Sequence, residues 1–194
     1  MTILDISKEL CSAPLFGENP PAKLIPFLRI NEGGPCNVSE LSLNLHTATH
    51  CDAYMHFIRD GADIVDTPLA HFVGECYVLS VEPNSVTQAS DLKGKLPAGI
   101  KRLLLHCGEN GFISEDAAEF LAEEGIITFG TEAPSVGAPG HEGPVHVALL
   151  GNKIAIIEQL DLSGVQDGTY TLFAQPLKIA GAEAAPCRAL LVKE

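Results

Sequence analysis

"ELSLNLHTATHCDAYMH" occupies residues 40–56 and gathers three of the chain's seven histidines, His46, His50 and His56, around Asp52. Leu41, Leu43 and Leu45 share one parity, while His46, Ala48, His50 and Asp52 share the other. Successive side chains of a strand point to opposite faces, so the pattern predicts leucines entering the core and both histidines with Asp52 on the other side. Four residues of extended chain span about 13 Å, whereas two nitrogens on one cation each sit about 2 Å from it. Either the chain bends near Ala48 and Thr49, or two cations about 3.5 to 4 Å apart share the row. A helix would also bring residues four apart together, but Thr47, Thr49 and the preceding alternation argue against it. The expectation is a strand ending in a bend.

A second cluster stands at "HVALLGNKIAIIE", residues 146–158. Glu158 closes an apolar strand pattern on the parity of Ile154 and Ile156, a costly place for a carboxylate unless its charge is paired. A cation would pair it. His146, on a short and mostly apolar helix just upstream, is placed to reach the same cavity.

"HTATHCDAYMH" resembles the H-x-G-T-H-x-D-x-P-x-H signature of the cyclase family of metal-dependent hydrolases, which includes bacterial kynurenine formamidases and isatin hydrolases. The resemblance continues in order along the chain. "LDIS" and "APLFGENP" are similar to the family's opening segment, and "GTEAPSV" to its G-x-D-x-P-S-V. "HVALLGNKIAIIEQL" resembles H-x-x-L-L-x-x-x-I-x-I-x-E-x-L, and "PLKIAGAEAAPCRALL" resembles P-L-x-I-x-G-x-D-x-S-P-x-R-A-x-L.

The resemblance implies an α/β fold of the swivelling β/β/α type, one sheet-dominated domain over residues 1–194, assembled as a homodimer or homotetramer. It also implies a divalent metal, Zn or Mn, with one or two ions per chain. By position, His46, His50, Asp52, His146 and Glu158 would be the metal ligands and His56 the general acid/base. The activity implied is hydrolysis of a small amide, formamide, or cyclic amide or ester. A lyase or cyclase using His56 as a base beside the same ion is the alternative, as is a binding protein that has lost turnover.

Several positions depart from the family pattern. Ala48 stands where the pattern has glycine, so a left-handed backbone there would be strained. Tyr54 replaces proline, removing a fixed φ and offering a phenol to the pocket. Glu132 takes the acidic position of G-x-D-x-P-S-V, Gly137 stands where an aspartate often follows, and Phe16 replaces the formamidases' tryptophan.

Composition limits the partners. Twelve Lys and Arg against 25 Asp and Glu give a formal charge of −13, which repels a phosphate backbone. No stretch approaches the roughly 18 apolar residues of a membrane span, and the N-terminus lacks a signal-peptide pattern. The partner expected is a small-molecule substrate. Cys11, Cys36, Cys51, Cys76, Cys107 and Cys187 form no C-x-x-C pair, as expected of reduced thiols in the cytoplasm. Cys51 lies inside the motif but on the opposite face from the ligand row, and reads as core. At 46% hydrophobic and 19% charged residues, the chain points to a surface covered by another subunit.

The remaining elements follow from pattern. "ECYVLSV" (75–81), "RLLLHC" (102–107), "IITF" (126–129), "IAIIE" (154–158), "YTLFAQ" and "RALLV" predict strands. "SEDAAEFLAEEG" (114–125) predicts a helix capped by Ser114, with acidic residues in its first turn and Gly125 at its stop. "PVHVALLGN" (144–152) predicts another, with Pro144 at its start. His141 lies in the glycine-rich "GAPGHEGP", read as a loop able to gate the pocket. Arg188 reads as a structural ion pair.

Overall fold

The structure, a computed structural model, describes residues 1–193. Its strands are β1 (Thr2–Asp5), β2 (Lys23–Leu28), β3 (Val38–Ser42), β4 (His50–Asp52), β5 (Val73–Ser80), β6 (Val86–Thr87), β7 (Arg102–His106), β8 (Phe112–Ile113), β9 (Thr128–Thr131), β10 (Ala155–Glu158), β11 (Gly168–Phe173), β12 (Ala184–Pro186) and β13 (Leu190–Lys193). The α-helices are α1 (Ala89–Leu92), α2 (Glu115–Glu123) and α3 (Glu142–Gly151). Nine strands form one mixed sheet in the order β1-β13-β11-β5-β7-β9-β10-β4-β12. Its centre, β5-β7-β9-β10, is parallel and its flanks are antiparallel. The fold is mixed α/β and sheet-dominated, as the sequence led us to expect. Among the described residues, no helix is long and apolar enough to cross a membrane.

The short run "RLLLH" shows why the central strands lack alternation. Leu103 and Leu105 pack with the helices against Phe129, Leu121, Leu149 and Leu150, while Leu104 faces the other way among Val78, Ile157, Leu160 and Leu172. A parallel sheet covered on both faces needs apolar residues at both parities. Helix α2 begins as its sequence predicts: the Ser114 hydroxyl accepts from the Ala117 N–H, and Gly125 takes φ +72° just beyond the end.

Three expectations shift. The strand read at 126–129 runs instead over Thr128–Thr131, in register with Leu103–Leu105 and Ala155–Ile157. Helix α3 starts at Glu142, so Pro144 sits inside its first turn, where a missing N–H still costs nothing. The largest difference concerns the leucines of "ELSLNL". They do not enter the core as one strand, because β3 stops at Ser42 and pairs only with β2 in a separate two-stranded ribbon. Leu41 is exposed, and Leu43 and Leu45 are half-buried. Pro26 offers this ribbon no N–H, and the register shifts between Pro26 and Leu28, which ties β2 to an edge rather than to a sheet interior.

Candidate metal centre

Strand β4 lies between β10 and β12. Its antiparallel register sets His50 opposite Glu158 and Asp52 opposite Ile156 on one side, and His50 opposite Pro186 on the other. Directly opposed residues share a face with Cβ atoms about 5 Å apart, so this pairing brings Glu158 to His50 across more than a hundred residues of sequence. Helix α3 lowers His146 onto the same face, and a 3-10 turn over Tyr54–His56 adds His56.

His46 arrives by the bend. Residues 45–49 form a turn in which Ala48 adopts φ +55°, the left-handed region. His46 thereby folds back over His50, with Nδ1 3.2 Å from His50 Nε2. The same turn aims the Ala48 carbonyl at His50 Nδ1, 2.8 Å away, which donates to it. Left-handed backbone costs an alanine about 1–2 kcal/mol. Glycine would relieve that cost but lose about 0.8 kcal/mol of buried methyl and about 0.4–1 kcal/mol through a freer unfolded chain. The terms nearly cancel, which explains how alanine can occupy a glycine position. Ala48→Gly is therefore expected to move urea-unfolding stability by less than about 1 kcal/mol, whereas Ala48→Val, β-branched at positive φ in a fully buried site, should cost more than about 2 kcal/mol.

Six residues converge. His46 Nδ1 lies 3.1 Å from Asp52 Oδ1, and His50 Nε2 lies 3.4 Å from Asp52 Oδ1 and 3.3 Å from Glu158 Oε2. His146 Nε2 lies 3.3 Å from Glu158 Oε1 and 3.7 Å from Asp52 Oδ2. His50, Asp52, His146 and Glu158 are buried, while His46 and His56 sit half-buried at the mouth. The rings of His46 and His56 are 4.4 Å apart, and Phe57 stacks on His146 at 4.4 Å while meeting His56 edge-on at 4.5 Å.

The outer nitrogens of the two buried imidazoles are already committed. His50 Nδ1 donates to Ala48 O, and His146 Nδ1 donates to Glu142 O at 2.8 Å. Neutral rings so fixed turn bare lone pairs inward, toward carboxylate oxygens that are themselves acceptors. Both oxygens of Asp52 are fully buried and make no hydrogen bond. Buried acceptors facing one another need positive charge between them. Three imidazoles and two carboxylates, mixed nitrogen and oxygen donors, suit a divalent cation.

Protons are the other way to satisfy this cluster. Burial would lower both His50 and His146, but Asp52 and Glu158 hold His50 well above the usual range and lift His146 to about 10. Burial would raise Asp52, yet His50, His146 and His46 hold it well below its ordinary value. Burial and the neighbouring Asp52 would likewise raise Glu158, but His146 and His50 outweigh them and lower it. Two imidazolium and two carboxylate groups sum to zero, and so do two neutral imidazoles, two carboxylates and one divalent cation. Zinc uptake by chelator-stripped protein at pH 7 is therefore expected to release about two protons per ion. Because these imidazoles hold protons up to an elevated pKa, apparent zinc affinity should climb as pH rises toward that value. Titration calorimetry in buffers of different ionisation heat measures the release; a value near zero would contradict this charge pattern.

Other residues singled out from the sequence fall elsewhere. Cys51 faces away from the cluster, fully buried, with its thiol directed at Ala174 O. The Tyr54 phenol does not enter the mouth. It points into the core beneath the helices, hydrogen-bonded to His71 Nε2 at 3.1 Å and donating to Lys153 O at 3.2 Å, because the 3-10 turn over Tyr54–His56 ends the strand alternation that aims the ligands. Glu132 accepts backbone N–H groups from Cys107, Gly108 and Leu162, tying three segments together. Gly137 has no room for the aspartate of the pattern, since a Cβ there would lie 2.5 Å from His141 O. Arg188 pairs with Asp5 at the surface, Phe16 is exposed, and His141 immediately precedes α3.

Two neighbours of the cluster escaped the sequence reading: Phe57, and Glu183, whose Oε1 lies 3.4 Å from His46 Nε2. Glu183 occupies the acidic position of the G-x-D-x-S-P segment, which was the available signal. A cavity of about 570 Å³ lined by Ser7, Lys8, Thr49, Cys187 and Arg188 contains none of the clustered residues.

Comparison with known proteins identifies the family and the fold. The family described as "Putative cyclase" matches residues 4–138. Kynurenine formamidase of Bacillus cereus (strain ATCC 14579) is 33% identical, covering 97% of this chain and 96% of that protein. The Bacillus mycoides kynurenine formamidase is 32% identical over the same shares. Among solved structures, one described as a predicted metal-dependent hydrolase from Bacillus stearothermophilus superposes with TM-score 0.82 at 28% identity, covering 98% of this chain and 97% of that one. Isatin hydrolase A from Ralstonia solanacearum shares the fold, with TM-score 0.84 at 22% identity over 99% and 92% of the two chains.

Proposed function

Because the chain belongs to the cyclase family, we propose that it is a metal-dependent hydrolase of a small amide, formamide, or cyclic amide or ester, acting on a C–N bond other than a peptide bond or, in an ester, on the corresponding C–O bond. The observation that carries this reading is the buried Asp52 carboxylate, without a hydrogen bond, at the centre of three imidazoles and Glu158. His46, His50, Asp52, His146 and Glu158 would hold the ion, Zn or Mn. A divalent cation in such a site supplies a Lewis acid that polarises a carbonyl and brings the pKa of water toward about 7. The buried group His50-Asp52-Glu158 would hold an ion, and Asp52 is shared with a second group of donors at the mouth, His46-Asp52-His56.

His56 is the general acid/base. Burial pushes its pKa down, reinforced by His46 and His146 and opposed by Asp52 and Glu158, so the imidazole is neutral at pH 7 and able to accept a proton. It takes that proton from the attacking water and returns it to the departing amine as the C–N bond breaks. Phe57, partly exposed and in contact with both His56 and His146, gives the mouth an apolar wall for the rest of the substrate.

Metal analysis of tag-free protein together with a screen of N-formyl anilines, cyclic imides and lactones tests the reading. The expected result is one or two Zn or Mn per chain and hydrolysis of at least one amide. Protein that takes up neither metal after incubation would overturn it.

The β2–β3 ribbon is the surface through which copies of the chain assemble as a dimer or tetramer in the cytoplasm. An isolated two-stranded ribbon is marginally stable in water, and this one exposes Leu24, Ile25, Phe27, Val38 and Leu41. Sedimentation velocity should find an oligomer that Phe27→Glu dissociates; a wild-type monomer at micromolar concentration would refute this assembly.

A further inference from the structure

The three imidazoles that would ligate the ion, His46, His50 and His146, differ in what holds their outer nitrogens. For His50 and His146 the partner is a backbone carbonyl, Ala48 O or Glu142 O, each at 2.8 Å. His46 is turned the other way round. Its Nδ1 faces inward, 3.1 Å from Asp52 Oδ1, and its Nε2 faces Glu183 Oε1 at 3.4 Å. His46 also has the least rigid support of the three. It sits in a turn rather than a strand or helix, half-buried, its backbone held by Asn44 Oδ1 and the Gln159 side chain.

Glu183 is well anchored for the task. Its carbonyl accepts the Ala53 N–H at 2.9 Å, and the next residue, Ala184, pairs with Asp52 in the β4–β12 register. The carboxylate therefore rises from the same frame that carries Asp52. Its side chain remains 40% exposed, free to close the remaining few tenths of an ångström to a full hydrogen bond.

Building on the metal-centre reading, we propose that Glu183 is a positioning residue: it accepts the His46 Nε2 proton, fixing the tautomer whose Nδ1 lone pair faces the ion. A carboxylate behind a ligating imidazole fixes ring orientation and increases ligand basicity, and losing such a partner typically weakens metal binding 10–100-fold. The family resemblance assigns Glu183 no role, and it contacts none of the reacting groups.

The test is zinc affinity, measured by competition with a chromophoric chelator, for wild type, Glu183→Ala and Glu183→Gln, with thermal melting of each stripped protein as a fold control. Glu183→Ala should bind zinc 10–100-fold more weakly. Glu183→Gln, whose amide oxygen still accepts the proton, should recover several-fold of that loss. Equal affinities for Gln and Ala would mean that only charge matters and would overturn the proposal, as would wild-type affinity in Glu183→Ala. If Glu183→Ala fails to fold, Glu183→Gln decides: affinity within about tenfold of wild type supports the positioning role, and a larger loss overturns it. Wild type that binds no zinc would overturn the metal centre itself, an outcome distinct from the others.

Discussion

Asp52→Ala is expected to strip the centre of metal and, with it, of hydrolysis. Asp52 is the hub of the cluster: His46 and His50 approach one of its oxygens and His146 the other, and the carboxyl is wholly buried. Removing one partner from a buried charge cluster typically costs about 3–5 kcal/mol, or roughly 10²- to 10⁴-fold in an affinity set by that charge. Asp52→Asn separates charge from shape, since it keeps the volume and one oxygen. Both variants should lose bound Zn or Mn by mass spectrometry, and Asn should retain the wild-type fold by circular dichroism. Metal retained in full by Asp52→Asn would mean that the clustered acceptors do not owe their arrangement to a cation.

His56→Gln should separate proton transfer from metal binding. The loss of a general acid/base typically lowers turnover 10²- to 10⁴-fold. If that is the role of His56, kcat falls by this much while KM and metal content per chain stay near wild type. The competing role is visible in the geometry, because His56 also groups with His46 and Asp52 as a set able to hold an ion. A variant that loses one ion per chain in parallel with activity would make His56 a ligand and leave the acid/base position to another group. Neutral His56 is the competent form for accepting the proton, so wild-type kcat should fall as acidity protonates it, below a pKa that burial sets under the usual histidine value.

Much of this was legible in the residues alone. Ser114 with Glu115 and Asp116 specifies the start of α2 locally, because a cap and a helix dipole act within one turn. The run Leu103–Leu105 marks a strand buried on both faces. Glu158 stood out because an apolar strand does not bury an unpaired carboxylate, and the spacing of His46 and His50 called for a bend or for two cations, of which Ala48 supplies the bend.

What the sequence by itself determined is therefore the candidate groups and the kinds of element that carry them: the elements follow from period and capping, Glu158 from the cost of buried charge, and the full set from the motif resemblance. The tertiary structure alone decided where "ELSLNL" leaves the sheet, where the Tyr54 phenol points, and that Glu183 stands behind His46. Parity on a strand can be read only while the strand continues, and one positive φ at Ala48 ends it. The contact between Glu183 and His46 depends on β12 pairing with β4 across more than a hundred residues. Local pattern carries no information about such a register, which is fixed by burying both faces of the whole sheet at once.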